Sequence, residues 1–256
     1  MTERRKPPAH GARPRARAKA GAGAAKAGAG PDLFAGSRPP KGPRTASYDP
    51  DCTRCPRLAE FLAETHHRYP GYWARPVPSF GAAAPRILIV GLAPGMHGAN
   101  RTGRPFTGDF AGILLYETLY ELGLATRAES ISADDGLELR NVRIANAVKC
   151  LPPENKPLPD EIRRCNAYLQ TELRELTAVR VVLALGRIAH EGVLIAEGLK
   201  PSQFPFGHGR EHPLSGTRHL VDSYHCSRYN TQTRVLTGAM FKKVVARACE
   251  LAGLTG

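Results

Sequence analysis

The sequence predicts an α/β domain in three layers, with helices on both faces of a central four-stranded, mainly parallel sheet. Three observations carry that expectation. Across residues 47–256, short apolar runs alternate with longer helical patterns, which is how a parallel sheet covered on both faces reads. The chain of 256 residues is 42% hydrophobic, enough for one sizeable core. One strand-like run also ends in a long glycine-rich loop that opens into a helix, where open α/β sheets place ligands.

Residues 1–46 stand apart from this pattern. They carry eleven Lys or Arg against two acids, so +9 of the formal +13 sits there and +4 in the remainder. The stretch Ala20-Gly-Ala-Gly-Ala-Ala25 has no large side chain to bury, and the arm is expected to be disordered. Concentrated basic charge suits a polyanionic partner, because neutralising phosphates releases counterions. No run of about 18 apolar residues is present, so no membrane span is expected. The basic N-terminus lacks the apolar stretch of a secretory signal, and the expected location is the cytoplasm. Asn100-Arg-Thr102 matches a glycosylation sequon, which is coincidental in an intracellular chain.

The elements of the domain follow in order. Asp51–Glu64 reads as a helix, and Arg86–Val90 as the first strand. Phe110–Leu122 has a helical pattern and Val142–Val148 reads as a strand. Pro159–Leu176 begins with Pro159, Asp160 and Glu161, a composition suited to the first helical turn. Val179–Leu185 and His219–Ser223 complete the strands, with helices at Arg187–Glu197 and Thr233–Leu251. There is no internal repeat, and a second domain is not required.

Between Gly91 and Asp109 lies Gly-Leu-Ala-Pro-Gly-Met-His-Gly-Ala-Asn-Arg-Thr-Gly-Arg-Pro-Phe-Thr-Gly-Asp. It is too long and too specific in composition to be only a connector. It contains no G-x-x-x-x-G-K-[ST], which excludes a P-loop, and Gly91-Leu-Ala-Pro-Gly95 is not the G-x-G-x-x-G of dinucleotide enzymes.

Six cysteines occur, four of them with a notable spacing. Cys52 and Cys55 form a C-x-x-C pair, and Cys150 and Cys165 flank a proline-rich loop. Four thiolates from two distant segments can cage zinc or an iron–sulfur cluster. Spacing leaves those two options level, with buried core cysteines as the plainer reading of Cys150 and Cys165. Cys55-Pro56 resembles the Cys-Pro found after cluster ligands. Cys249 occupies an apolar helical position and reads as core.

At this point several segments resemble family 5 uracil-DNA glycosylases. Gly91–Gly95 with His97–Asp109 is similar to the family's first motif, and Ala147-Val-Lys-Cys-Leu-Pro-Pro-Glu-Asn-Lys-Pro157 to its second. Ser223-Tyr-His-Cys-Ser-Arg-Tyr-Asn-Thr-Gln-Thr233 resembles the third, and Tyr72–Pro78 and Phe206-Gly-His-Gly209 add to the match. The resemblance spans residues 50–253 and implies a four-stranded parallel sheet between helices. It also implies a structural [4Fe-4S] cluster on Cys52, Cys55, Cys150 and Cys165, deciding for the cluster over zinc. The implied partner is DNA containing uracil or other deaminated bases, with the enzyme acting as a monomer.

Breaking an N-glycosidic bond requires flipping the nucleotide into a pocket, stabilising the departing base and supplying water at C1′. Phe106 is placed to stack on the flipped base, or alternatively to anchor the loop in the core. Asn146 and Asn155 carry amides that match the edge of uracil. The resemblance favours Asn155 for catalysis and aligns Asn146 with a base-reading asparagine, although either can cap a turn. His225 follows the last strand and is the candidate for stabilising negative charge on the base. Ala93 stands where related enzymes carry a polar catalytic group, which shifts water activation to Asp109. Asp109 is equally suited to capping the next helix. Gly91 and Ala93 are expected at the base site, and Arg101, Arg104, Ser227 and Arg228 at phosphates. Arg228 and Tyr229 are also candidates to wedge into the gap left by the base. Family members often have Gln at the position of Tyr229. Cys226 reads as a tolerated small residue and not as a nucleophile.

The resulting expectation is a monofunctional DNA glycosylase that removes uracil, and also bases such as hypoxanthine because Ala93 leaves room. Two rivals stand beside it: a non-catalytic binder of uracil-containing DNA, and a relative that traps its product through a loop histidine, for which His97 is the nearby candidate. Deleting residues 1–46 is expected to weaken DNA binding and flatten its salt dependence. Binding measured across a salt series checks this, and an unchanged slope counts against a DNA role for the arm.

Overall fold

The computed structural model describes residues 44–254. The disorder expected for residues 1–46 therefore falls outside the described residues, except at its last three positions. There Thr45 and Tyr48 already bridge in a turn.

The strands are β1 (Phe80–Gly81), β2 (Ile87–Gly91), β3 (Val142–Asn146), β4 (Val181–Leu185), β5 (Glu211–Pro213) and β6 (His219–Ser223). The helices are α1 (Pro56–Arg68), α2 (Ala99–Thr102), α3 (Phe110–Glu121), α4 (Pro159–Glu175), α5 (Arg187–Ala196), α6 (Arg228–Gln232) and α7 (Gly238–Leu251). The four expected strands form the parallel centre of the sheet, in the order β3-β2-β4-β6. Two short antiparallel strands extend it, β1 beside β3 and β5 beside β6. Two or three residues are too few for a period to show, so these edges were not legible. Pro213 ends the outer strand, consistent with the confinement of proline to sheet edges.

Alternation along the strands divides the core between two faces. Ile87, Ile89, Ile144, Leu183 and Val221 pack with Leu115 and Leu119 of α3 and Phe241 and Val245 of α7. Leu88, Val90, Ala145, Val182 and Ala184 face α4 and α5 through Leu169, Leu173 and Val193. The second face is built close. A Cβ on Gly192 of α5 would stand 3.1 Å from the Ala147 methyl.

Local chemistry sets the helix ends. Helix α1 begins at Pro56 rather than near Asp51, because proline suits the first helical position and Cys52–Cys55 is not helical. The expected Thr233–Leu251 helix starts later, at Gly238, and a separate short helix, α6, precedes it. Arg234 takes a φ of +59°, α6 ends before it, and α7 starts afresh with the Thr237 hydroxyl accepting from Met240 N. Helix α1 is tied to α4 by Arg57, whose Nε and Nη2 donate to the two Glu161 oxygens at 2.8 and 2.7 Å. Glu161 also accepts from Leu158 N at 2.7 Å, closing the first turn of α4. The end of α7 is held at the start of β2, where Arg86 donates twice to the Ala252 carbonyl.

Register places the site. Gly91 pairs with Asn146, and Leu185 with Ser223. All four parallel strands thus end on one edge, and the loops that follow them meet there.

Candidate active site

The loops at that edge enclose a cavity of about 450 Å³. Of the residues expected at the site, Ala93, Phe106, Asp109, Asn146, Asn155, His225, Ser227 and Arg228 line it. Each is placed by a distinct local cause.

Phe106 is buried and takes a φ of +54°, a left-handed backbone that is uncommon outside glycine. Two glycines make that position possible. A Cβ on Gly91 would lie 2.7 Å from Phe106 Cζ and 2.6 Å from Asn146 Oδ1, and a Cβ on Gly112 would strike the Phe106 carbonyl. Gly91 therefore supports the cavity from beneath and does not line it. The Tyr116 hydroxyl donates to the Pro105 carbonyl at 2.8 Å and holds the turn down. The Phe106 ring stacks on His225, with centroids 5.9 Å apart and planes inclined by 30°. It thus belongs to the core and to the cavity wall at once.

Asp109 caps α3, its Oδ1 accepting from Gly112 N at 2.9 Å. Capping and access to the cavity coexist. Burial raises the pKa of its carboxyl, and the hydrogen bonds from Gly112 and Ala111 only partly oppose this. Gly98 leaves the space that the carboxylate occupies. Asn146, only 4% exposed at the end of β3, makes no side-chain hydrogen bond among the described residues. Asn155 lies on the exposed rim, in a turn where Glu154 and Asn155 both have positive φ.

His225 follows β6, and Asn230 Nδ2 donates to its carbonyl at 2.8 Å. Burial lowers its pKa from 6.5 to about 4, so the imidazole is neutral at ordinary pH. The neighbouring Cys226 thiol is pushed up to about 12, by burial first and then by Asp109. Such a thiol is a poor nucleophile.

Three expectations for the loop residues change. Arg104 is not available to phosphate: its side chain is buried, paired with Asp135, bonded to Thr107 Oγ1 at 3.0 Å and to the Ser132 carbonyl, and stacked 4.7 Å from the Phe80 ring centroid. Arg101 is half-buried outside the cavity and donates through Nε to the His97 carbonyl at 2.8 Å. His97 does not line the cavity, and its Nδ1 shares a hydrogen bond with the Tyr72 hydroxyl at 2.9 Å. The product-trapping alternative therefore lacks its residue at the cavity. Ser227 caps α6 by accepting from Asn230 N. Exposed Arg228 lies 5.0 Å from the Phe110 ring centroid, and Tyr229 beside it is 72% exposed.

The sequence reading missed the wall formed by Gly186, Arg187 and Ile188 at the start of α5. A strand ending in Gly186, whose φ is +96°, followed by a helix start was the available signal.

A second, small cavity is lined by Cys52, Cys55, Cys150 and Cys165 with Leu58 and Tyr168. All four cysteines are free of disulfides. Burial raises the pKa of the Cys165 thiol to about 11, and that of Cys150 well above its ordinary value. Lys149 N donates to Cys165 Sγ at 3.3 Å, and Arg54 and Arg164 add positive charge to the lining. Sulfurs on one tetrahedral zinc ion would be about 3.8 Å apart. Among the described residues, only His190, His212 and Asp222 bring three such ligand atoms within 4.8 Å of one another. Four thiols around one cavity, with no histidine or carboxylate in its lining, form a donor set that fits an iron–sulfur cluster and also a tetrahedral metal ion.

The chain is also similar in sequence to known proteins. Residues 78–249 match the model of the uracil DNA glycosylase superfamily. A type-5 uracil-DNA glycosylase of Thermus thermophilus is 52% identical over 208 residues, covering 79% of this chain and 94% of the relative. One from Pyrobaculum aerophilum is 42% identical, covering 79% and 90%. A type-4 uracil-DNA glycosylase of Archaeoglobus fulgidus is 39% identical over a shorter stretch, 44% of this chain and 49% of the relative.

The state of His225 is open to measurement. Its folded pKa of about 4 lies below the 6.5 of an unfolded histidine, so the unfolded chain takes up the proton first as pH falls. The stabilising contribution is complete above pH 6.5 and is lost as pH falls toward 4. Thermal melts across that window are expected to depend less on pH in His225→Gln than in the wild type. An imidazole that titrates in the folded protein near 6.5 by NMR would exclude the buried, neutral assignment.

Proposed function

The chain belongs to the uracil DNA glycosylase superfamily, and within it to the type-5 uracil-DNA glycosylases, and from that premise we propose that it hydrolyses the N-glycosidic bond of deaminated bases in DNA. The observation that carries this reading is a single cavity lined by an aromatic ring, an amide, a neutral imidazole and a proton-accepting carboxylate. In the proposed reaction the flipped base enters the cavity and lies against Phe106. The Asn146 amide reads the base edge. As the bond from C1′ to the base breaks, its electron pair leaves with the base. An N–H of His225 donates to the base oxygen where that charge develops. Water adds to C1′ and its proton passes to Asp109, leaving an abasic sugar without strand cleavage. Asn155, on the rim, orients the water or the sugar.

The cavity of about 450 Å³, with only the Ala93 methyl at that point of its wall, also leaves room for a purine. Hypoxanthine is therefore proposed as a second substrate. Arg228 and exposed Tyr229 fit the gap in the duplex left by the flipped base. The cysteine cage is proposed to hold a [4Fe-4S] cluster whose role is structural. Cys150 and Cys165 bracket the loop bearing Asn155, and a cluster there would fix both ends of that loop.

Asn retains the helix cap that Asp109 provides but removes the base. Asp109→Asn is thus expected to lower single-turnover uracil excision by about a hundredfold or more, with a melting temperature equal to or above wild type. Alkali cleavage of a duplex carrying one uracil measures this. A wild-type protein that binds that duplex but yields no alkali-labile product would favour the non-catalytic binder. The cluster is checked by iron and acid-labile sulfide in the purified protein, both expected to be lost in Cys165→Ser. Zinc in their place would overturn it.

A further inference from the structure

Beside the cavity stands a group of side chains that this mechanism does not use. Tyr69, the residue after α1, stacks on Tyr72 with ring centroids 4.6 Å apart and planes inclined by 16°. His97 meets both rings edge-on, at 5.9 and 6.0 Å, and shares the hydrogen bond with the Tyr72 hydroxyl. The guanidinium of Arg68 covers the Tyr69 ring at 5.4 Å. Arg101 joins the group through its bond to the His97 carbonyl. Arg68 and His97 are exposed, and the two tyrosines are half-buried.

Basic residues in the last turn of α1 also suit the helix dipole, so their charge alone indicates little. Position and chemistry together indicate more. Gly95 and Ala99 line the cavity, and His97 lies midway between them on the same loop. Chain connectivity thus keeps His97, and the stack with it, close to the cavity, although His97 does not line it. Layered aromatic rings with a guanidinium form a surface on which nucleotides stack without regard to sequence. The exposed Arg68 guanidinium beside it suits a phosphodiester.

We propose that Arg68, Tyr69, Tyr72 and His97 form a contact site for the DNA strand adjoining the extruded nucleotide, holding one or two phosphodiesters and the sugar or base between them. This rests on reading the cavity as the base-excision site. The site acts on binding and leaves the chemical step untouched.

Two variants test it, Arg68→Gln/His97→Gln for the charge and Tyr69→Leu for the stack, each followed by its melting temperature. Uracil excision from a duplex is expected to show KM raised about tenfold, with kcat at saturating DNA within about twofold of wild type. The salt slope of binding is expected to fall by about one in the charge variant. If Tyr69→Leu melts early, the charge variant alone decides. Substrates shortened on the 5′ or the 3′ side of the uracil identify the strand, because the deficit disappears when the contacted side is removed. Unchanged KM and salt slope in a folded charge variant, alongside normal wild-type excision, would overturn the proposal. Absence of excision by the wild type would instead count against the glycosylase reading, and the salt slope on undamaged duplex would still decide the contact site.

Discussion

The site depends on how closely Phe106 lies against the end of β2 and the start of α3. That approach requires two missing side chains, at Gly91 and Gly112, and a left-handed backbone at Phe106 itself. Such a conformation costs of order 1–3 kcal/mol, and burial of a phenyl ring contributes about 1.5–3 kcal/mol in return. The bond from Tyr116 to Pro105 adds to the balance. Because the chain turns there, Asp109 arrives at the first turn of α3 as its cap. One packing constraint thus delivers both the ring and the carboxylate to the cavity.

The same burial acts on the two titratable groups in opposite directions. It raises Asp109 and lowers His225, and in both cases it favours the uncharged form. A neutral donor and a reluctant carboxylate suit a reaction in which negative charge appears on a leaving base. A histidine that stays neutral does not have to give up its proton to be useful.

Much of this was legible in the sequence, for reasons that differ by element. The two innermost strands are buried on both faces and read as uninterrupted apolar runs, Ile87–Val90 and Val181–Leu185. Asp109, Phe106 and His225 were legible because long motifs surround them. Arg104 was not, since composition alone cannot distinguish an arginine facing phosphate from one buried against Asp135 and Phe80. The start of α7 was hidden because Thr233 and Thr237 both suit an N-cap, yet only Thr237 accepts from the following turn, while Thr233 donates back to the Tyr229 carbonyl. Arg187 was missed because the strand-glycine-helix signal at Leu185-Gly-Arg187 does not say that this helix begins beside His225, whose Cβ would stand 3.4 Å from a Cβ on Gly186.

The anchoring of Ala252 by Arg86 has a consequence for the molecule as a tool. Arg86 precedes β2, at the edge of the sheet opposite the one where the strands end and the cavity opens. Leu254, two residues beyond Ala252, is held with it on the far side of the sheet. A fluorophore, an affinity handle or a second catalytic domain placed there would stand away from the mouth of the cavity.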